Sequence, residues 1–232
     1  LDTGALPGEP VRGNGHAGLV IGDVCDKGVG SALFMALYRS LIRIFSGQAQ
    51  LSRSLVDTQS QTVGGPPDSS SIRQYSQVEA MRAVSLTNDY IAQDNEMCMF
   101  ATLFFGVLDP RNGNLLYVNG GHEPVVIVNS SGVKESLEAT GPAVGMMPES
   151  KYAAKSVQIE PGDIIFGYTD GVTEALSSNK ELYSRARLIS ILESPAHTAS
   201  KLIEQIKIDL LKYIDDAPQS DDITMFAVRR KH

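Results

Sequence analysis

Met99–Pro124 reads MFATLFFGVLDPRNGNLLYVNGGHEP. The run Met99–Leu108 is apolar almost throughout and marks a buried strand. Asp109–Asn114 follows and holds Asn112-Gly113, a strong hairpin signal because both residues accept the positive φ of a tight two-residue turn. Leu115–Val118 then returns as a second strand. A hairpin pairs its strands antiparallel, so this stretch sets the character of the sheet.

Upstream, Ala17–Val24 (AGLVIGDV) is short, apolar and rich in β-branched residues, and reads as another buried strand. A helix pattern begins at Val29. Leu33, Phe34, Leu37, Leu41, Ile44 and Phe45 lay an apolar stripe on one face, and Gly47 is its expected stop. Residues 48–72, centred on TVGGPPDSSS, are polar and expected to form a mobile loop. A second helix is expected over Gln74–Gln93, with Val78, Met81, Val84 and Ile91 inward.

Downstream, Val125–Val128, Ser156–Ile159 and Ile164–Tyr168 read as strands, with turns at Ser130–Gly132 and Glu160–Asp163. Helices are expected over Tyr183–Leu192 and Ala199–Tyr213, the latter with Leu202, Ile203, Ile206, Leu210 and Ile214 on one side. Ile223–Val228 closes the chain as a strand. Strands in adjacent groups, separated by pairs of helices, imply an α+β fold with a largely antiparallel sheet system rather than a βαβ alternation. Residues 1–16 are rich in Gly and Pro and read as a flexible lead-in to one domain over 17–232.

The chain has 232 residues, 42% of them hydrophobic, enough for a substantial core without disulfide staples. Its 20 basic and 27 acidic side chains leave a formal charge of −7. That balance argues against a nucleic-acid binder. No apolar run is long enough to span a bilayer, so no membrane insertion is expected. Cys25 and Cys98 read as two reduced thiols of a cytoplasmic protein. His16, His122, His197 and His232 never share a helical spacing, which disfavours a zinc site. A start at Leu1 rather than Met suggests a piece of a longer protein.

Acidic residues stand at three strand ends. Asp23 closes the first strand, Asp170 follows IIFGYT, and Asp221 and Asp222 precede ITMFAV. Carboxylates held there on rigid backbone can converge into an oxygen-rich site for hard cations, with Mg²⁺ or Mn²⁺ the natural choice. The bland alternative makes them turn residues and helix caps. Other motifs do not compete. GDVCDKGVG (22–30) fails the phosphate-loop pattern, and GNGHAG (13–18) matches GxGxxG by letters but precedes a strand instead of following one. Asn129-Ser130-Ser131 is a glycosylation sequon by letters and a turn by context.

GDVCDKGVGSALFMAL, the hairpin stretch above, TGPAVGM, EPGDIIFGYTDGVTEA and SDDITMFAV stand in this order. Together they resemble the bacterial SpoIIE/RsbU branch of the PPM (type 2C) metal-dependent serine/threonine protein phosphatases, from about Ala17 to Arg229. The resemblance implies a four-layer α-β-β-α sandwich, two mainly antiparallel sheets flanked by helices, with a centre of two Mn²⁺ or Mg²⁺ ions at one edge. It implies that Asp23 bridges the ions, that the Val24 backbone carbonyl binds one, and that Asp170 and Asp221 are ligands, with Gly171 and Asp222 as neighbours. These residues would act through a metal-activated water. Asp163, in PGD, is expected to be a turn residue, and His122, in GGH, a packed or hydrogen-bonded one. Asp26 stands where many relatives have Gly; it caps the next helix or bears on a bound water from behind the ligands.

The family also carries an acid from a segment like GGDFYD before the first strand, where this chain has LDTGALPGEPVRGNGH, with Asp2 and Glu9 out of context. The implied activity is hydrolysis of phosphoserine or phosphothreonine, on a partner such as a STAS-type anti-anti-sigma factor. The chain would be the output module of a signalling protein with an N-terminal sensor domain, its first two helices switching activity, with a homodimer left open. The competing reading is a metal-poor module that acts by binding a partner.

Overall fold

The computed structural model describes residues 17–25, 28, 30–43, 82–93, 95–96, 98–194 and 197–231. The chain opens with strand β1 (Ala17–Val24) and is helical through 30–43 (α1) and 82–93 (α2). Strands β2 (Ala101–Leu108), β3 (Asn114–Gly120), β4 (Val125–Asn129), β5 (Gly132–Leu137), β6 (Lys155–Gln158) and β7 (Ile164–Tyr168) follow. A single helical turn, α3 (Asp170–Thr173), then leads to helices α4 (Arg185–Leu192) and α5 (Ala199–Ile214) and strand β8 (Met225–Arg229).

Two four-stranded sheets form, in the orders β1-β2-β3-β6 and β5-β4-β7-β8, and every pairing is antiparallel. The hairpin read from Asn112-Gly113 joins β2 to β3, and Gly113 there takes φ +79°, a conformation an L side chain resists. An added Cβ at Gly113 would lie 2.1 Å from the Ile159 carbonyl oxygen.

Strand alternation sorts the side chains into three apolar layers. Leu103 and Phe105 of β2 pack with Tyr38, Leu41 and Ile42 of α1 and Val84 and Ile91 of α2. Phe104 and Leu108 point the other way and meet Ile127, Leu137, Ile165 and Val228 of the second sheet. Val126, Ile164, Phe166 and Tyr168 face Leu188 and Leu192 of α4 and Leu202, Ile206 and Leu210 of α5. The layers therefore run helices, sheet, sheet, helices. Helix α5 follows its amphipathic pattern closely, and the Thr198 side chain caps it by accepting from the Lys201 N–H at 3.1 Å.

Two expectations need correction. On α1 the buried face is Tyr38, Leu41 and Ile42, whereas Leu33 and Leu37 of the expected stripe are exposed, Leu33 at 67%. Phe34 and Leu41 of the expected stripe do pack inward, and Tyr38, one helical turn from Phe34, shares that face with Ile42 in place of Leu33 and Leu37. Strand β5 was not expected: GVKESL offers little apolar signal, because Lys134 and Glu135 face outward on an edge strand. Ile44, Phe45, Val78, Met81, the 48–72 loop and residues 1–16 lie outside the described residues.

Phe104 is fully buried between the sheets. Phe104→Ala is expected to destabilise the protein by about 3–5 kcal/mol, while Leu33→Ala costs less than about 0.5 kcal/mol. The measurement is the urea midpoint of each variant at constant m-value.

Candidate active site

The end of β1, the β7–α3 junction and the segment before β8 meet at one edge of the two sheets. They line a cleft of about 630 Å³, with Asp23, Asp170, Asp221 and Asp222 among its walls, beside Val24, Cys25 and Thr102. Asp23 is carried by the first sheet, where it pairs with Thr102 of β2. Asp170 is the first residue of α3, and Asp221 and Asp222 lead into β8. The acids of all three strand ends thus come to one place.

A local clamp brings the last two together. The Thr169 N–H donates to the Thr224 carbonyl at 3.1 Å. The Thr169 hydroxyl donates to the Asp222 carbonyl at 3.2 Å and accepts from the Thr224 N–H at 3.1 Å. Gly171 completes the approach: a Cβ at this position would stand 2.2 Å from the Asp222 carbonyl oxygen, so any side chain would push the two segments apart. TDG and DDIT are therefore two halves of one joint. Thr169 carries much of that joint, yet a threonine before an aspartate in a turn gives no sequence signal.

Asp221 is fixed in turn. Its carboxylate Oδ1 accepts from the Asp222 N–H at 2.8 Å, and its carbonyl accepts from the Gln219 side chain at 2.7 Å. Asp163, expected in a turn, stands well away from this edge. It closes the turn before β7, where its Oδ2 accepts from the Glu160 N–H at 2.9 Å and pairs with Lys134 at 2.6 Å. His122 is buried at 4% exposure; its N–H donates to Asn119 Oδ1 and its Nδ1 lies 2.8 Å from Thr102 Oγ1. Asp26 lies outside the described residues.

The electrostatics follow from this crowding. The Asp23 carboxyl is pushed up to about 6, first by burial and then by the charge of Asp170, a proton shared with it, and the charge of Asp221; only the Val24 backbone pulls it back. Asp170 Oδ1 is buried with no hydrogen-bond partner. Such a site disfavours its own full ionisation and offers hard oxygen donors. Among the described residues no three His, Cys, Asp or Glu side chains form a preassembled ligand set. The aspartates line a shared cleft instead, with the Val24 backbone beside them.

Residues 13–231 match the family described as Stage II sporulation protein E (SpoIIE). The chain belongs to the SpoIIE family. Within reach of that assignment, it is 48% identical over 219 residues to Protein IcfG of Synechocystis sp., a match that covers 94% of this chain and 34% of IcfG. It is 29% identical over 145 residues to the phosphoserine phosphatase RsbU of Bacillus subtilis, covering 62% of this chain and 43% of RsbU. The chain thus spans about a third of IcfG's length.

Among solved structures, the PP2C phosphatase domain of SpoIIE from Bacillus subtilis matches with a TM-score of 0.68 at 14% identity, over 94% of this chain and 54% of that one. The SiaA PP2C domain of Pseudomonas aeruginosa matches with a TM-score of 0.62 at 18% identity, over 93% and 79%. The α-β-β-α layering is accordingly the fold of those PP2C domains.

The raised Asp23 makes a signed prediction for the metal-free protein. Its folded pKa of about 6 lies above the ordinary 3.8, so the folded state holds a proton the unfolded state has lost between those values. Stability from this group is full below about pH 4 and lost as pH rises through 6. With chelator present, Asp23→Asn is expected to match wild type at pH 4 and exceed it at pH 7. The gain should be about 1–2 kcal/mol after allowance for the group's partial exposure. Paired thermal melts across that range measure it.

Proposed function

We propose that this chain is a metal-dependent phosphatase module that removes phosphate from phosphoserine or phosphothreonine on a partner protein. The convergence of Asp23, Asp170 and Asp221 on one cleft carries the reading. The residues fit a pair of Mg²⁺ or Mn²⁺ ions: an unpartnered buried carboxylate oxygen, and a carboxyl pushed up by burial and then by its neighbours' charge, are both relieved by a dication. Asp23, Asp170 and Asp221 would hold the ions, with Asp23 shared between them, and the Val24 carbonyl would add a neutral oxygen. Asp222 and Gly171 fix the backbone beneath them.

When bound, such ions acidify water and polarise phosphoryl oxygens for in-line displacement. The protein's own contribution is placement. The Thr169 clamp and Gly171 hold Asp170 against the Asp221 segment, and the β1–β2 pairing holds Asp23 opposite. No nucleophilic side chain is needed. The formal charge of −7 repels a phosphorylated partner at long range, so attraction has to come from cations held at the cleft itself.

RsbU is named a phosphoserine phosphatase, which supports this substrate class. The partner we favour is a STAS-type regulatory protein. The large part of IcfG beyond the match leaves room for the sensor domain of a longer signalling protein. No helix among the described residues is long and apolar enough to cross a membrane, in keeping with a cytoplasmic output module.

The test is hydrolysis of p-nitrophenyl phosphate and of a phosphoserine protein, with Mn²⁺ and with chelator. We expect Mn²⁺-dependent turnover that falls on the order of 100-fold or more in Asp170→Asn, at or beyond the upper end of what loss of a group behind the ligands costs. Equal rates in wild type and variant would remove the metal reading. No turnover from either would favour a module that acts by binding alone.

A further inference from the structure

We propose that Met35 is a specificity-determining residue: with Ala32 and Phe100 it forms an apolar wall of the cleft that takes an apolar side chain next to the phosphorylated residue of a protein substrate. The inference rests on the phosphatase reading above and adds to it the sequence around the phosphoserine.

The cleft is larger than its acidic part requires. Its volume of about 630 Å³ suits a ligand of drug size, whereas a phosphoryl group brings only a few heavy atoms. The four aspartates account for its charged lining. Much of the rest comes from the entry to α1, where Gly28, Ser31, Ala32 and Met35 line the cleft. The Ala32 N–H donates to the Gly28 carbonyl at 3.1 Å, so helical spacing holds from Gly28 onward and these four residues share one face. No Lys, Arg or His among the described residues lines the cleft. Substrate atoms beyond the phosphoryl group therefore meet either carboxylates or this neutral wall.

Single exposed apolar side chains are ordinary on a surface, and Leu33 and Leu37 of the same helix are examples. Met35, 38% exposed, differs from them. Of the exposed large apolar side chains among the described residues, it is the one that lines the cleft. Its unbranched thioether adapts to apolar partners of different shape. A Cβ at Gly28 would meet nothing within 4 Å, so space is left beside the first turn of the helix.

The wall is fixed in place. The Ser31 hydroxyl donates to the Cys25 carbonyl at 3.2 Å, the Cys25 N–H donates to the Phe100 carbonyl at 3.0 Å, and the Phe100 N–H donates to the Cys25 sulfur at 3.1 Å. The first turn of α1, the end of β1 and the approach to β2 are thus bonded together, two residues from Asp23. Further along α1, the Tyr38 hydroxyl donates to the Val144 carbonyl. A contact made on a preformed wall spends little on ordering the protein, so burial there passes into selectivity.

The test uses phosphoserine peptides that differ only by Leu or Asn, similar in size and both uncharged, directly before or directly after the phosphoserine. With Mn²⁺ and the full chain, the Leu peptide is expected to exceed its Asn counterpart in kcat/KM by about 10-fold at one of the two positions, the low end of apolar discrimination because the cleft is open. Met35→Gln keeps the length and adds a polar end, and is expected to bring that ratio to within about 2-fold, while Met35→Leu leaves it near the wild-type value. Each ratio is taken on one protein, so a general loss of activity or of folded fraction cancels. Ratios within about 2-fold at both positions in wild type, or a ratio that Met35→Gln leaves unchanged, overturn the proposal and leave the phosphatase reading in place. Turnover of p-nitrophenyl phosphate without turnover of any peptide has the same meaning. A wild-type chain with no Mn²⁺-dependent turnover of any of these substrates overturns both.

Discussion

Asp23 stands on one sheet, and Asp170 and Asp221 stand on the other, so the cleft exists only while the two sheets hold their places. The layer of Phe104, Leu108, Ile127, Leu137, Ile165 and Val228 does that work, and most of these side chains are fully buried. The Phe104 and Tyr117 rings stack at 5.6 Å within it. Interiors packed to this density transmit displacement instead of absorbing it. A void between the sheets would therefore move one acid relative to the others, and the stability of the middle layer and the geometry of the site are one property.

The same site carries a cost. Three carboxylates brought to one cleft in a chain already at −7 repel one another, and burial first, then the charges of Asp170 and Asp221, push the Asp23 carboxyl up to about 6. The fold tolerates that repulsion because the acids sit on backbone that has little freedom to retreat: a ladder pair for Asp23, the threonine clamp and a glycine contact for Asp170, and a local turn for Asp221. Arrangements of this kind, unfavourable alone and relieved by a cation, are what divalent sites are made of.

Much of this was legible in the sequence because the informative residues are local. Asn112-Gly113 marks its own turn, and Leu202, Ile206, Leu210 and Ile214 mark their own helix face. The acids could be singled out because each abuts an apolar strand. The α1 face was misread because Leu33 and Leu37 weigh more than Tyr38 in an aliphatic count, while the groove beneath β2 takes the Tyr38 ring, whose hydroxyl donates to the Val144 carbonyl. Strand β5 escaped because edge strands need not be apolar. Thr169 and the Thr102–His122 pair escaped for a different reason: their meaning lies in contacts across the fold, which no window along the chain contains.

TGPAVGM shows how such a contact connects the helices to the cleft. Tyr38 of α1 donates to the Val144 carbonyl, and the Asn88 side chain of α2 accepts from the Gly145 N–H at 3.0 Å and donates to the Met147 carbonyl at 2.8 Å. Val144 is itself bonded to Ala101 in both directions, at 2.9 and 2.8 Å. Ala101 is the ladder partner of Val24, next to Asp23, and the Phe100 N–H meets the Cys25 thiol at the cleft wall. Each link is a hydrogen bond or a ladder pair rather than a loose apolar contact. A shift of either helix against the first sheet must then either break buried hydrogen bonds, at about 1–3 kcal/mol for each group left unpaired, or carry the 141–147 loop and the end of β1 along with it. The second course leads to the backbone that holds Asp23.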